Sequence, residues 1–223
     1  MNTLYSDSIY LISIFMNMIL SGIILLTLAP LAYSSKDSVA AMISATVSAM
    51  VLMYGMVYYM ESPLIKEFLR IVSAASLYIT GYLLSSVSGF RFTFIFLTVY
   101  VLNRFAAFIT GGATSALSGG YAAYIAVQTL IIVAFVLILK RYIKKPFTDM
   151  IYEIQENWGT LCILPFLFNI ALFRFNAFSL HFDSDMLHIR INLLLFLLCF
   201  IIYYVIYLYF RDISSTLILK KDA

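Results

Sequence analysis

Arg104 stands inside an apolar run, FRFTFIFLTVYVLNRFAAFIT, with Asn103 beside it. A guanidinium in a bilayer core is costly. It is retained there to pair with a carboxylate, to reach the headgroups along its own stem, or to hold an anionic ligand. Counted from Arg91, Arg104 lies roughly 20 Å along a helix, in the outer half of its span. Gln128, Asn169 and Arg174 are further polar side chains within or at the ends of apolar runs. With Asn103 and Arg104 they make up the candidate ligand-binding set. For the amides the alternative role is hydrogen bonding between helices.

His181, Asp183, Asp185 and His188 form a second group, spaced H-x-D-x-D-x-x-H. Imidazole and carboxylate suit zinc and similar ions. This spacing matches no established metal site, so the group reads first as an exposed polar loop. If it acts, it acts as an outer lip sensitive to pH or metal, because histidine titrates near neutrality. There is no G-x-S-x-G, H-E-x-x-H, Walker loop or Rossmann fingerprint, so no catalytic residue and no cofactor are assigned. The glycine-rich GGATSALSGG (111–120) lacks the Lys-Ser/Thr of a phosphate loop and reads as a flexible connection. Cys162 and Cys199 both lie in apolar runs and read as inert thiols.

The elements that must position these residues follow from composition. The 223 residues are 63% hydrophobic and 11% charged, with a mean hydropathy of +0.99. A soluble domain carries about twice that charge. Runs of about 20 apolar residues need internally bonded backbone, and the dyad alternation of a β-barrel is not visible. The expected fold is therefore all-α: one polytopic membrane helix bundle over residues 1–223, with no nucleic-acid surface.

Seven spans are expected, at about 9–33, 39–59, 68–87, 92–110, 121–139, 158–178 and 191–210. A six-span alternative merges or loses one of the third and fourth segments. The first run has no basic region before it and reads as a retained span rather than a signal peptide. The second is rich in small residues (Ala41, Ser44, Ala45, Ser48, Ala49) and is expected inside the bundle. Pro165 is expected to kink the sixth.

Lys140, Arg141, Lys144 and Lys145 lie within six positions. Basic residues beside a span are retained on the cytoplasmic side. Inner connections then hold these four with Lys36, Arg91, Arg211, Lys220 and Lys221, and outer ones hold Lys66, Arg70, Arg174 and Arg190. The N-terminus is thus outside and the C-terminus cytoplasmic. Residues 140–157 read as a basic, amphipathic connection. Pro146 opens a short helix whose stripe Phe147, Met150, Ile151, Ile154 and Trp158 is expected to lie on the inner membrane surface, with Trp158 at headgroup depth. From Ile191 to Ala223 there is no Gly or Pro. The last helix is therefore expected to continue past Phe210 through 211–223 as the start of a signalling rod, reaching roughly 13 Å beyond the membrane by Leu219.

Lys145-Pro146-Phe147, then Met150, then Trp158 with Leu161, Pro165 and Phe168, resemble the membrane sensor region of GHKL-type histidine kinases of Firmicutes, relatives of the accessory-gene-regulator sensors. The resemblance covers the chain in layout and residues 144–168 in sequence. It implies a bacterial plasma-membrane sensor in the lipid bilayer, a peptide or amphipathic ligand, a homodimer, and a cytoplasmic kinase module or response partner. The family's phosphoacceptor helix and ATP-binding boxes are not in this sequence, and His181 and His188 fall on the expected outer side, so no catalytic residue is carried over. The competing functional class is a small-molecule transporter or permease subunit. That class predicts repeats and paired broken helices, whereas the sequence has one proline-broken span and no repeat.

Overall fold

The computed structural model describes residues 2–59, 63–116, 121–154, 157–175, 190–191, 193–206 and 208. Regular structure among them is helical: α1 (Asn2–Leu28), α2 (Ser35–Tyr59), α3 (Pro63–Leu84), α4 (Phe90–Ala116), α5 (Tyr121–Ile138), a π turn (Leu139–Ile143), α6 (Lys144–Glu153) and α7 (Trp158–Phe175). A further apolar helix, α8, covers Leu193–Ile206. The chain divides into two compact units, residues 1–99 and 100–223.

In the first unit α1 and α3 run parallel. Their contacts ascend together: a Cβ at Gly22 would meet Leu77, one at Gly81 would meet Leu25, and Leu31 bridges Ser85. The two helix ends are tied by Ala32 N–H to the Leu84 carbonyl at 2.9 Å and Ser86 N–H to the Pro30 carbonyl at 2.8 Å. Ser85 and Ser86 hydroxyls also donate to Pro30, at 3.3 and 3.2 Å. The pairing satisfies carbonyls that a helix terminus otherwise leaves open. α2 runs back from the end of α1 to the start of α3, packed against both. Its start is capped by Ser34, whose hydroxyl accepts the Asp37 N–H at 3.2 Å and donates to the Asp37 carboxylate at 2.6 Å.

α2 is peripheral, not interior. Its buried stripe is Ser38, Met42, Thr46, Ala49 and Met53. Of the small residues expected inside, only Ala49 is buried; Ala41, Ser44 and Ser48 face outward. Small residues alone do not say which side a helix buries, and here the methionines take the inner face.

α3 and α4 are separate helices joined by a tight turn that Gly89 enters with φ of +61°. Four rings staple this hairpin. Tyr78 lies edge-on to Phe96 and Phe92 at 4.9 and 5.3 Å, and Tyr82 edge-on to Phe92 at 5.5 Å. The Tyr78 hydroxyl is 3.0 Å from that of Thr93.

In the second unit the core joins α4, α7 and α8. Val101, Phe168, Leu172, Phe196 and Cys199 are its buried centre, flanked by Phe105, Phe108, Leu164 and Leu195. Phe105 meets Phe196 and Phe200 with ring centroids at 5.0 Å in each case. Phe105 also touches Phe135 of α5 at 6.3 Å.

Two connections differ from expectation. α4 continues through Gly111 and Gly112 to Ala116, so the glycine-rich segment begins as helix. Two glycines cost about 1 kcal/mol each in a helix, a cost that a helix already propagating from Phe90 carries. The basic connection is likewise helical: α5, the π turn and α6 form one unbroken rod.

The stripe Phe147, Met150, Ile151, Ile154 and Trp158 is buried within the protein rather than laid on a membrane surface. Trp158 folds back to donate Nε1–H to the Ile154 carbonyl at 3.0 Å. Asn157, at φ of +64°, turns the chain into α7. α7 remains helical through Pro165. The rod expected over 211–223 lies outside the described residues.

Candidate functional site

α4 is buried on two opposite faces. Phe92, Ile95, Val99, Asn103, Ala106 and Thr110 recur at helical spacing on one; Phe94, Val101, Phe105 and Phe108 lie on the other. Successive residues on an α-helix diverge by about 100°. Asn103 and Arg104 are therefore not two halves of one lining. Asn103 sits on the first face and is buried. Arg104 flanks the second, and its guanidinium acts electrostatically on Tyr100, one turn before it. Arg104 Nε and Nη1 are themselves enclosed.

Gln128 is completely buried, 0% exposed. It shares the inner stripe of α5 with Ile132, Phe135 and Leu139. Neither its amide nitrogen nor its oxygen has a hydrogen-bond partner among the described residues. Asn169, on α7 beside Phe168, donates Nδ2–H to the Pro165 carbonyl of its own helix at 2.8 Å. Arg174 falls in the last turn of α7, and its side chain lies outside the described residues. So do His181, Asp183, Asp185 and His188. Among the described residues no three His, Cys, Asp or Glu gather in a way that could hold a metal. Cys162 and Cys199 are buried free thiols.

The feature that motif reading missed is the π turn. The signal for it was present as spacing. From Leu139 to the buried Phe147 is eight residues, which is two turns plus nearly one residue at 3.6 per turn. A regular helix would carry Phe147 about 80° and Ile151 about 120° away from Leu139 on the α5 stripe. One wide turn absorbs the surplus residue, and the Lys144 N–H accordingly reaches back five residues to the Leu139 carbonyl. The same turn eases the passage of Pro146, whose ring clashes with the carbonyl four residues earlier in a regular helix. On the other side of the rod Lys140, Arg141, Lys144 and Lys145 are all exposed.

Together these features define an all-helical protein. Among the described residues three helices, Ser35–Met56, Phe90–Gly111 and Ile125–Glu153, are long and apolar enough to cross a membrane, and four shorter apolar helices accompany them. No protein-family model, curated protein or solved structure matches the chain.

Proposed function

We propose that the chain is a seven-span sensory bundle of a bacterial plasma membrane. Its N-terminus is outside and its C-terminus is cytoplasmic. It passes an outer-side signal to a cytoplasmic output of histidine-kinase type. The observation that carries this reading is the seating of α8 through Phe196 and Cys199 against Val101 on α4 and Phe168 and Leu172 on α7. α4 also carries Arg104, and α7 contains Pro165. A ligand that draws on Arg104 therefore acts on the helix against which the last described helix is packed. Close-packed cores switch between discrete arrangements rather than deforming smoothly. A ligand favouring one arrangement shifts its population and moves α8 with it. The parallel ends of α1 and α3 support alternating spans in the first unit. The resemblance over residues 144–168 supports the output class.

The test is a fusion of a reporter kinase module after Ala223, expressed in membranes and challenged with a panel of amphipathic peptides. The expected result is a severalfold change in reporter phosphorylation that Arg104→Gln and Phe196→Ala each abolish. Constant output across the panel, together with solute flux in proteoliposomes, would replace the sensor reading with the permease one.

A further inference from the structure

We infer that Lys140, Arg141, Lys144 and Lys145 form a binding face for the headgroups of anionic phospholipids, built on the π turn. The inference rests on the membrane reading above and goes beyond it, from which side the cations occupy to what they bind.

The face is defined by what precedes and what opposes it. Leu130, Val133, Leu137 and Ile138 of α5 are large apolar side chains turned outward, Leu130 the most at 70% exposed. In a bilayer they meet acyl chains. The four cations follow directly on the same unbroken rod. From Ile138 to Lys145 is seven residues, about 10 Å at 1.5 Å each. That is comparable with the headgroup layer, roughly 5–8 Å on each side of the hydrocarbon. Lysine and arginine stems span the difference. Tyr142, exposed among them, has the amphipathic ring favoured at that depth.

The four side chains also share a side. At α-helical spacing they fall within an arc of about 140°, and the wider turn narrows it. Leu139, Phe147 and Ile151 take the inner side, so the π turn that keeps the apolar stripe inward keeps the charges outward. None of the four cations makes an ion pair among the described residues. Arg141 only rests beside the Tyr142 ring, 5.6 Å from its centroid. Asp149 and Glu153, the exposed carboxylates of α6, stand a turn or more further from the apolar run. A compact group of cations at headgroup depth, without carboxylate partners among the described residues, is complementary to lipid phosphate. Each basic side chain at an anionic surface favours it by about fivefold.

The full chain is reconstituted in vesicles of phosphatidylcholine with one-fifth phosphatidylglycerol, re-extracted gently, and the retained lipid is quantified. The expected result is retained phosphatidylglycerol enriched severalfold over the bulk. The enrichment should fall to the bulk ratio in Lys140→Gln/Arg141→Gln/Lys144→Gln/Lys145→Gln. It should persist in Lys140→Arg/Lys144→Arg/Lys145→Arg and in Lys36→Gln. Should the fourfold variant fail to fold, the native chain still decides. Raising salt from 0.1 to 1 M cuts the screening length from about 10 to 3 Å and is expected to erase the enrichment. Incorporation without enrichment, enrichment kept by the folded fourfold variant, or indifference to salt overturns the inference while leaving the membrane reading intact. Failure to incorporate at all overturns both.

Discussion

Gly81 and Gly55 are both helical glycines, and the structure gives them opposite roles. A Cβ at Gly81 would run into Leu25 of α1 and stand 3.0 Å from the Phe92 ring, whereas one at Gly55 would meet nothing within 4 Å. Gly81→Leu is therefore expected to lower the thermal midpoint in detergent, at an overpacking cost of about 1–3 kcal/mol. Gly55→Ala is expected to raise it by the helix preference of alanine, about 0.5–1 kcal/mol. Shifts of the same sign would contradict this account of α1–α3 packing. Gln128 invites the complementary test. A buried amide with no partner costs about 1–3 kcal/mol, so Gln128→Leu is expected to stabilise the fold. If Gln128 also serves a ligand, the same variant stabilises the chain and loses the ligand response in the reporter fusion. The two readouts together separate function from simple misfit. That Gln128 was worth attention was legible from its place in an apolar run. That it finds no partner among the described residues was not, because partnership depends on which neighbours the fold supplies. Asn169 is the counter-example: its amide nitrogen turns to its own helix, at Pro165.

Among the elements, the rod from Tyr121 to Glu153 shows most clearly where pattern reading holds and where it fails. Charge density marked Lys140–Lys145 as a break between an apolar span and a polar connection, and Pro146 as a helix start. The backbone ignores both boundaries. The inward stripe steps by four residues from the half-buried Phe135 through Leu139 and the half-buried Ile143 to the buried Phe147 and Ile151. Each such step gains about 40° on a regular helix, and the π turn returns most of what accumulates. Deleting Tyr142 should remove that turn and keep the stripe in register, but it leaves Pro146 in a regular helix at a cost of about 3 kcal/mol. The deletion is therefore expected to be harmful alone and tolerated with Pro146→Ala. Inserting an alanine after Tyr142 should instead rotate α6 by about 100° and pull Phe147 and Ile151 outward. Trp158 is the only tryptophan and is buried against this stripe's end. Its emission is expected to stay blue in the deletion with Pro146→Ala and to move red in the insertion. An unchanged spectrum in the insertion would mean that the stripe is not what holds α6.

For the molecule as a whole, the sequence made the helical class and the seven apolar segments legible, because hydropathy measures what a helix can bury. It did not reveal which helices are central. α2 and α4 are similarly apolar, yet α4 is buried on two faces and α2 on a single stripe; that difference arises only when helices choose neighbours. The sidedness of the chain rests on one internal fact and one inference. The fact is that α1 and α3 end together, through Pro30–Ala32 and Leu84–Ser86, so the connections bearing Lys36 and Arg91 emerge on a common side. The inference belongs to the proposed topology: if basic residues stay in the cytoplasm, Lys144 is expected on that side as well. A background with Cys162 and Cys199 replaced by serine allows single cysteines to report the arrangement. Lys36→Cys and Lys144→Cys are expected to resist an impermeant maleimide in intact cells and to react in inverted vesicles, and Glu61→Cys is expected to do the reverse. Labelling of Lys36→Cys and Lys144→Cys from opposite sides would change the number of crossings between them. Labelling of both from outside would keep the crossings and invert the protein, placing the cationic face of the π turn on the outer leaflet.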